Sequence, residues 1–197
     1  MGNTMNLVQR AIDILVKPKE TWPQIEAEPS SVGSIYTGYV VLLAAIPALA
    51  GFIGMSLIGS AFAFHVPLVY GLIGMIASYA VSLAGVYVMG LIINALAPSF
   101  GAIKNPLSAF KVAAYGATAS FVSGAFSLIP GLSIIGMLVS LYSIYLVYFG
   151  LPALMKCPTD KAVGYTAVVI VLAIVAGIVM SSVTGMLYYH GMAPAIR

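Results

Sequence analysis

From Pro29 to Ile103 the chain runs for 75 residues without an Asp, Glu, Lys or Arg, and two further charge-free runs follow, Val112 to Met155 and Ala162 to Ile196. A helix needs about 20 apolar residues to cross the roughly 30 Å hydrocarbon core of a bilayer. The three runs hold more apolar chain than a soluble core of this size can bury, so the chain reads as a polytopic membrane protein. Composition agrees: 7% of the residues are charged, against about 25% in an ordinary globular domain, and the mean hydropathy is +1.08.

The 197 residues suffice for five spans with short connectors in a single domain. A net charge of +3 invites a nucleic-acid reading, but the few cations cluster at span ends, where they set topology. No nucleic-acid partner is expected. The single cysteine, Cys157, has no second thiol or histidine nearby in sequence and reads as a free structural thiol. The first 33 residues carry four acids and the near-adjacent Pro18 and Pro23, and their apolar stretch is broken by Arg10 and Asp13, so no cleaved signal is expected. Asn6 stands where a myristoylation signal wants Ser or Thr, and Met5 could itself be the start.

Proline and glycine punctuate the long runs. His65-Val66-Pro67, Ala97 to Gly101, Ile129-Pro130-Gly131 and Lys156 to Lys161 divide them into five predicted helices: Ser34 to Phe62, Pro67 to Leu96, Leu107 to Leu128, Leu132 to Leu154 and Ala162 to Tyr188. The first two exceed a bilayer's needs, since 29 residues rise about 43 Å. Pro47, with Gly51 and Gly54, offers a kink. The fold class expected is all-α, a bundle of five transmembrane helices after an amphipathic N-terminal segment, with residues 1–33 cytosolic or interfacial and 189–197 an outer tail.

Orientation follows from charge. Arg10, Lys17, Lys19, Lys104, Lys111, Lys156 and Lys161 fall on one side of the predicted bundle and Arg197 alone on the other. Cations near span ends stay cytoplasmic, which places the N-terminus inside and the C-terminus outside.

Ahead of the first span, Val8, Ala11, Ile12 and Leu15 recur at the spacing of one helical face, with Gln9, Arg10, Asp13 and Lys17 turned elsewhere. Lys17-Pro18 ends that helix. A second helix is predicted to start at Thr21-Trp22-Pro23-Gln24, with Thr21 as cap, and to stop near Glu28-Pro29. Such a segment lies flat in the headgroup layer with Trp22 at the interface, or it is a docking surface for a cytosolic partner, for which Arg10, Lys17, Lys19, Glu20 and Trp22 are the candidates. The stretch Asn6 to Glu28 holds seven of the thirteen charged residues.

Helices in lipid associate through small residues and interhelical hydrogen bonds. Ladders at four-residue spacing appear as Gly74, Ser78, Ser82; as Gly116, Ser120, Gly124; and as Ala173, Gly177, Ser181, Gly185. Packing within the bundle is the default reading, homo-oligomerisation the alternative. No span centre carries an ionisable acid or base, which speaks against ion-coupled transport. Asn94, Tyr115, Tyr142, Tyr145 and Tyr148 are either hydrogen-bonded core or the lining of a polar cavity, and in the second case the protein is a channel or facilitator for a small neutral or weakly charged solute. Intramembrane proteolysis would want buried aspartates, a Ser with a His, or a His-Glu-x-x-His pair, and the sequence has none of these. His65 and His190 fall at the outer surface without an acid or thiol to complete a metal site. No enzyme, metal or cofactor is expected.

Several short stretches, in order, resemble the Yip1-domain family and its short bacterial members: Ile14 to Trp22, Asn94-Ala95-Leu96-Ala97 with Phe100-Gly101, Tyr115, Ile129-Pro130-Gly131-Leu132, Gly150-Leu151 and Lys161-Ala162. The resemblance implies five spans with a cytosolic N-terminus and, for a bacterial member, the inner membrane. Eukaryotic relatives resemble membrane adaptors for prenylated Rab GTPases, so it implies an adaptor or organiser, and it carries over no catalytic residue.

Overall fold

The computed structural model describes residues 6–59 and 66–192, and these are helical almost throughout. Helix α1, Leu7–Val16, is capped by the Asn6 side chain and ends at Lys17, which the following proline holds out of the helical region at φ −132°. Helix α2, Pro18–Ala27, begins a turn earlier than the predicted Thr21 start, because Pro18 fits the first helical position. Thr21 therefore caps nothing; its hydroxyl donates back to the Lys17 carbonyl at 2.8 Å.

The first long helix, α3, covers Val32–Ile58. Ser31 and Ser34 cap it reciprocally. Two π-helical stretches, Tyr36–Val40 and Ile53–Ile58, lie on either side of Pro47, so the predicted irregularity is spread over widened turns. It ends at Gly59, whose φ of 82° suits only glycine; the predicted end at Phe62 lies outside the described residues. Helix α4, Leu68–Leu96, matches its predicted bounds closely and continues as a 3-10 turn, Ala97–Phe100, closed by Gly101 at φ 67°.

The third predicted helix is not continuous. It consists of α5, Pro106–Gly116, then α6, Thr118–Ser123, then a 3-10 stretch, Gly124–Leu128. Thr118 donates its hydroxyl to the Tyr115 carbonyl at 2.7 Å, and Ser123 donates to the Ser120 carbonyl at 3.0 Å. Such back-bonds compete with the helical ladder beside Gly116 and Gly124. Helices α7, Ser133–Ser140, and α8, Tyr142–Met155, meet at a tight step on Leu141 and form the fourth predicted helix. Helix α9, Thr159–Met192, starts three residues ahead of the predicted Ala162, with Asp160 in its first turn.

Among the described residues four helices, not five, are continuous, long and apolar enough to cross a bilayer: Val32–Ile58, Leu68–Phe100, Ser133–Met155 and Thr159–Ser182. The interrupted third segment lies inside the others. Ala109 through Gly116 are all buried, and α5 packs against both α4 and α8.

Burial is uneven along the bundle. Trp22, Ile25, Ile93, Leu151, Met155 and Tyr165 form a tightly packed core at one end. Farther along the same helices Ile76, Ile134, Met137, Leu138, Ile174 and Ile178 are exposed, as side chains facing lipid would be. The packed end also gathers the connectors: the Ile103 amide donates to the Met155 carbonyl at 2.8 Å, and Lys156 pairs with Glu26 of α2. The predicted cytoplasmic cations thus sit on elements that meet at one end.

Candidate functional site

Helices α1 and α2 form a hairpin folded onto that packed end. Helix α2 runs alongside α8: Lys19 stands 5.0 Å over the Phe149 ring, Trp22 meets Gly150, and Glu26 pairs with Lys156. Helix α1 reaches across to α6 and α8, where the Tyr142 hydroxyl donates to the Leu15 carbonyl at 3.0 Å.

Trp22 is 1% exposed. Its ring packs edge-on to Tyr115, with centroids 6.4 Å apart. The sequence reading put Trp22 at a bilayer interface; instead the missing side chain of Gly150 leaves a slot that the indole fills. Arg10 differs in the same way. Expected on the polar face of α1, it is buried with Ala11 and Ile14, while Val8, Ile12 and Val16 are exposed. The apolar stripe of α1 is therefore only partly used against the protein, and the arginine is drawn inward by an acid.

That acid is Glu28. Arg10 Nη2 donates to Glu28 Oε2 at 2.6 Å. Lys111 of α5, also buried, donates through Nζ to the Ile25 carbonyl at 2.6 Å and the Glu28 carbonyl at 2.9 Å, closing the C-terminal end of α2 as a cation does at a helix C-terminus. Sequence reasoning treated Lys111 as a topology signal and Glu28 as a helix end; neither spacing nor residue type marked them as partners across 83 positions. Tyr39, also missed, stacks obliquely on Tyr115 at 4.6 Å and shares a 2.7 Å hydrogen bond with Thr118. Of the interface candidates, Lys17, Lys19 and Glu20 remain exposed, on the turn and first turn of α2.

The polar residues of the spans do not converge. Tyr115 faces a cavity of about 320 Å³ beside Arg10. Tyr145 and Tyr148 line a separate groove with Val163 and Ile170 of α9. Tyr142 stacks on Tyr145 at 5.2 Å while bonding to α1. Asn94 lines neither space, and its Oδ1 is buried without a partner among the described residues. Among the described residues no three His, Cys, Asp or Glu side chains come close enough to hold a metal. The readings of His65 and of the His190 side chain lie outside the described residues.

The small-residue ladders divide by role. A Cβ on Gly116 would stand 2.7 Å from Val147, Ser120 and Ser143 share a 2.9 Å hydrogen bond, and Gly124 lies against Pro47, so this ladder joins the third segment to both α8 and α3. Gly74 is buried in α4. Ser78 lines a groove with Gly177 and Ser181, where a Cβ on Gly177 would meet nothing within 4 Å. The α4–α9 ladders therefore leave a space between them.

An all-helical bundle whose long apolar helices expose aliphatic side chains, with a packed charged end, defines an integral membrane protein. The chain belongs to the Yip1 domain family, whose pattern matches residues 12–180. It is similar to inner membrane protein YohC of Escherichia coli (strain K12), at 28% identity over 181 residues that cover 88% of this chain and 93% of that protein. The protein of the same name from Escherichia coli O6:H1 gives the same figures. No solved structure matches the chain.

Proposed function

We propose that the protein is a non-catalytic adaptor or organiser of a bacterial inner membrane, crossing the bilayer five times with its N-terminus in the cytosol. Its inner end, built from the α1–α2 hairpin, is the surface offered to a cytosolic protein. The observation that carries this reading is the way the hairpin is held. Trp22 and Lys111 fix it to the bundle and Arg10 with Glu28 ties its two helices together, so Lys17, Lys19 and Glu20 are presented on a shaped platform.

Three supports bear on the rest. The interrupted third segment is long enough, at 23 residues from Pro106 to Leu128, to reach across a core of about 30 Å. The cation count favours a cytosolic N-terminus. The Escherichia coli relative is described as an inner membrane protein. The facilitator reading has no comparable support, because Asn94, Tyr115 and the α8 tyrosines line no common path.

The test is site-specific photocrosslinking in intact cells, with the crosslinker at Lys19 or at Ile134 on the lipid-facing end. A discrete protein adduct from position 19, lost when Lys17 and Glu20 are exchanged for Ser, supports the adaptor. Lipid adducts alone from both positions contradict it.

A further inference from the structure

We propose that the cavity between the N-terminal hairpin and the start of α3 binds one phosphate group, carried by a membrane lipid headgroup or free in the cytosol. The cavity, about 320 Å³, is walled by Arg10, Glu28, Ser34, Tyr39 and Tyr115.

Charge makes the first argument. Arg10 and Lys111 are 6% and 5% exposed; Arg10 pairs with the Glu28 carboxylate, whereas Lys111, behind the cavity wall, bonds only the Glu28 backbone carbonyl, so two buried cations stand beside one carboxylate. The other acid near Lys111, Glu26, pairs with Lys156. A buried surplus charge is costly unless an opposite charge joins it, and one monoanion restores balance.

Hydrogen bonding makes the second. Arg10 spends Nη2 on Glu28, while its buried Nη1 has no acceptor among the described residues. A guanidinium with a free edge matches phosphate oxygens in a two-point contact. The Tyr115 hydroxyl also donates to no acceptor among the described residues, and the first turn of α3 brings the positive end of a long helix to the same wall.

The experiment titrates the purified full-length protein, in a neutral detergent, with dihexanoyl phosphatidylglycerol in one arm and inorganic phosphate in the other, read by calorimetry. One equivalent should bind. Tighter binding of the lipid assigns the site to a headgroup, and phosphate binding at least as tight assigns it to a free anion. Arg10→Gln should weaken the bound probe about tenfold or more, Tyr115→Phe should weaken it severalfold, and Glu28→Gln should tighten it, because the competing carboxylate is gone. Trp22 emission checks folding, and if Arg10→Gln unfolds, the opposite signs of the other two variants still decide. No saturable binding in either arm, or equal affinity in wild type, Tyr115→Phe and Glu28→Gln, overturns the proposal.

Discussion

The indole of Trp22 lies so close to Gly150 that a Cβ built on the glycine would stand 2.8 Å from Cζ2 and 3.0 Å from Cη2. Two helices far apart in sequence are thereby locked face to face, and the contact is the centre of the hairpin's attachment. A leucine at position 150 must expel the ring. Overpacking of this kind costs about 1–3 kcal/mol. Because Trp22 is the only tryptophan, Gly150→Leu should shift the protein's emission to the red and lower the midpoint of denaturant unfolding in detergent. Unchanged emission would mean that the hairpin is not seated there.

The two lysine anchors of α2 should differ in weight. Lys111 is buried and bonded to two carbonyls, so Lys111→Met removes charge-assisted hydrogen bonds worth about 1.5–3 kcal/mol each and leaves the Glu28 carbonyl only the Ser30 hydroxyl at 3.4 Å. Lys156 and Glu26 pair on the surface with about half of each side chain accessible, and Glu26→Ala should move stability by less than about 1 kcal/mol. Hydrogen exchange of α2 amides would separate the cases: faster exchange in Lys111→Met, little change in Glu26→Ala.

Cys157 sits in the connector between α8 and α9, 5% exposed, with its thiol raised above the usual cysteine range by burial and, secondarily, by Asp160. A raised value means less thiolate at any given pH, and the thiolate is the reactive form. Alkylation in the folded protein at pH 7 should therefore run well below the rate of a free thiol and climb as pH rises. The folded thiol also holds its proton more tightly than the unfolded one, so stability should fall slightly as pH passes upward through the thiol range. Rapid labelling at neutral pH would contradict this placement.

What the sequence discloses and what it hides divide along physical lines. Charge-free runs and prolines place α4 within a residue or two of its predicted bounds because, in lipid, a helix continues until something breaks it. The break in the third segment is invisible to such a rule. It depends on Thr118 and Ser123 choosing backbone carbonyls, and these residues also serve as ordinary polar members of spans. The hairpin fails differently. An apolar stripe says that a face avoids water but not whether protein or lipid covers it, so Val8 and Ile12 were legible as apolar while the burial of Trp22 was not. The pairing of Glu28 with Arg10, and the reach of Lys111 to the carbonyls that end α2, follow only from tertiary geometry, since single charges far apart in sequence carry no periodic signal.

The central claim is that the hairpin end faces the cytosol and that the interrupted third segment nonetheless crosses the membrane. In a Cys157→Ser background, single cysteines at Lys19 and at Ile129, which is 54% exposed just past the third segment, can be treated in intact cells with a membrane-impermeant maleimide. Ile129→Cys should be labelled from outside, and Lys19→Cys only after lysis. Labelling of both positions from the same side would contradict it.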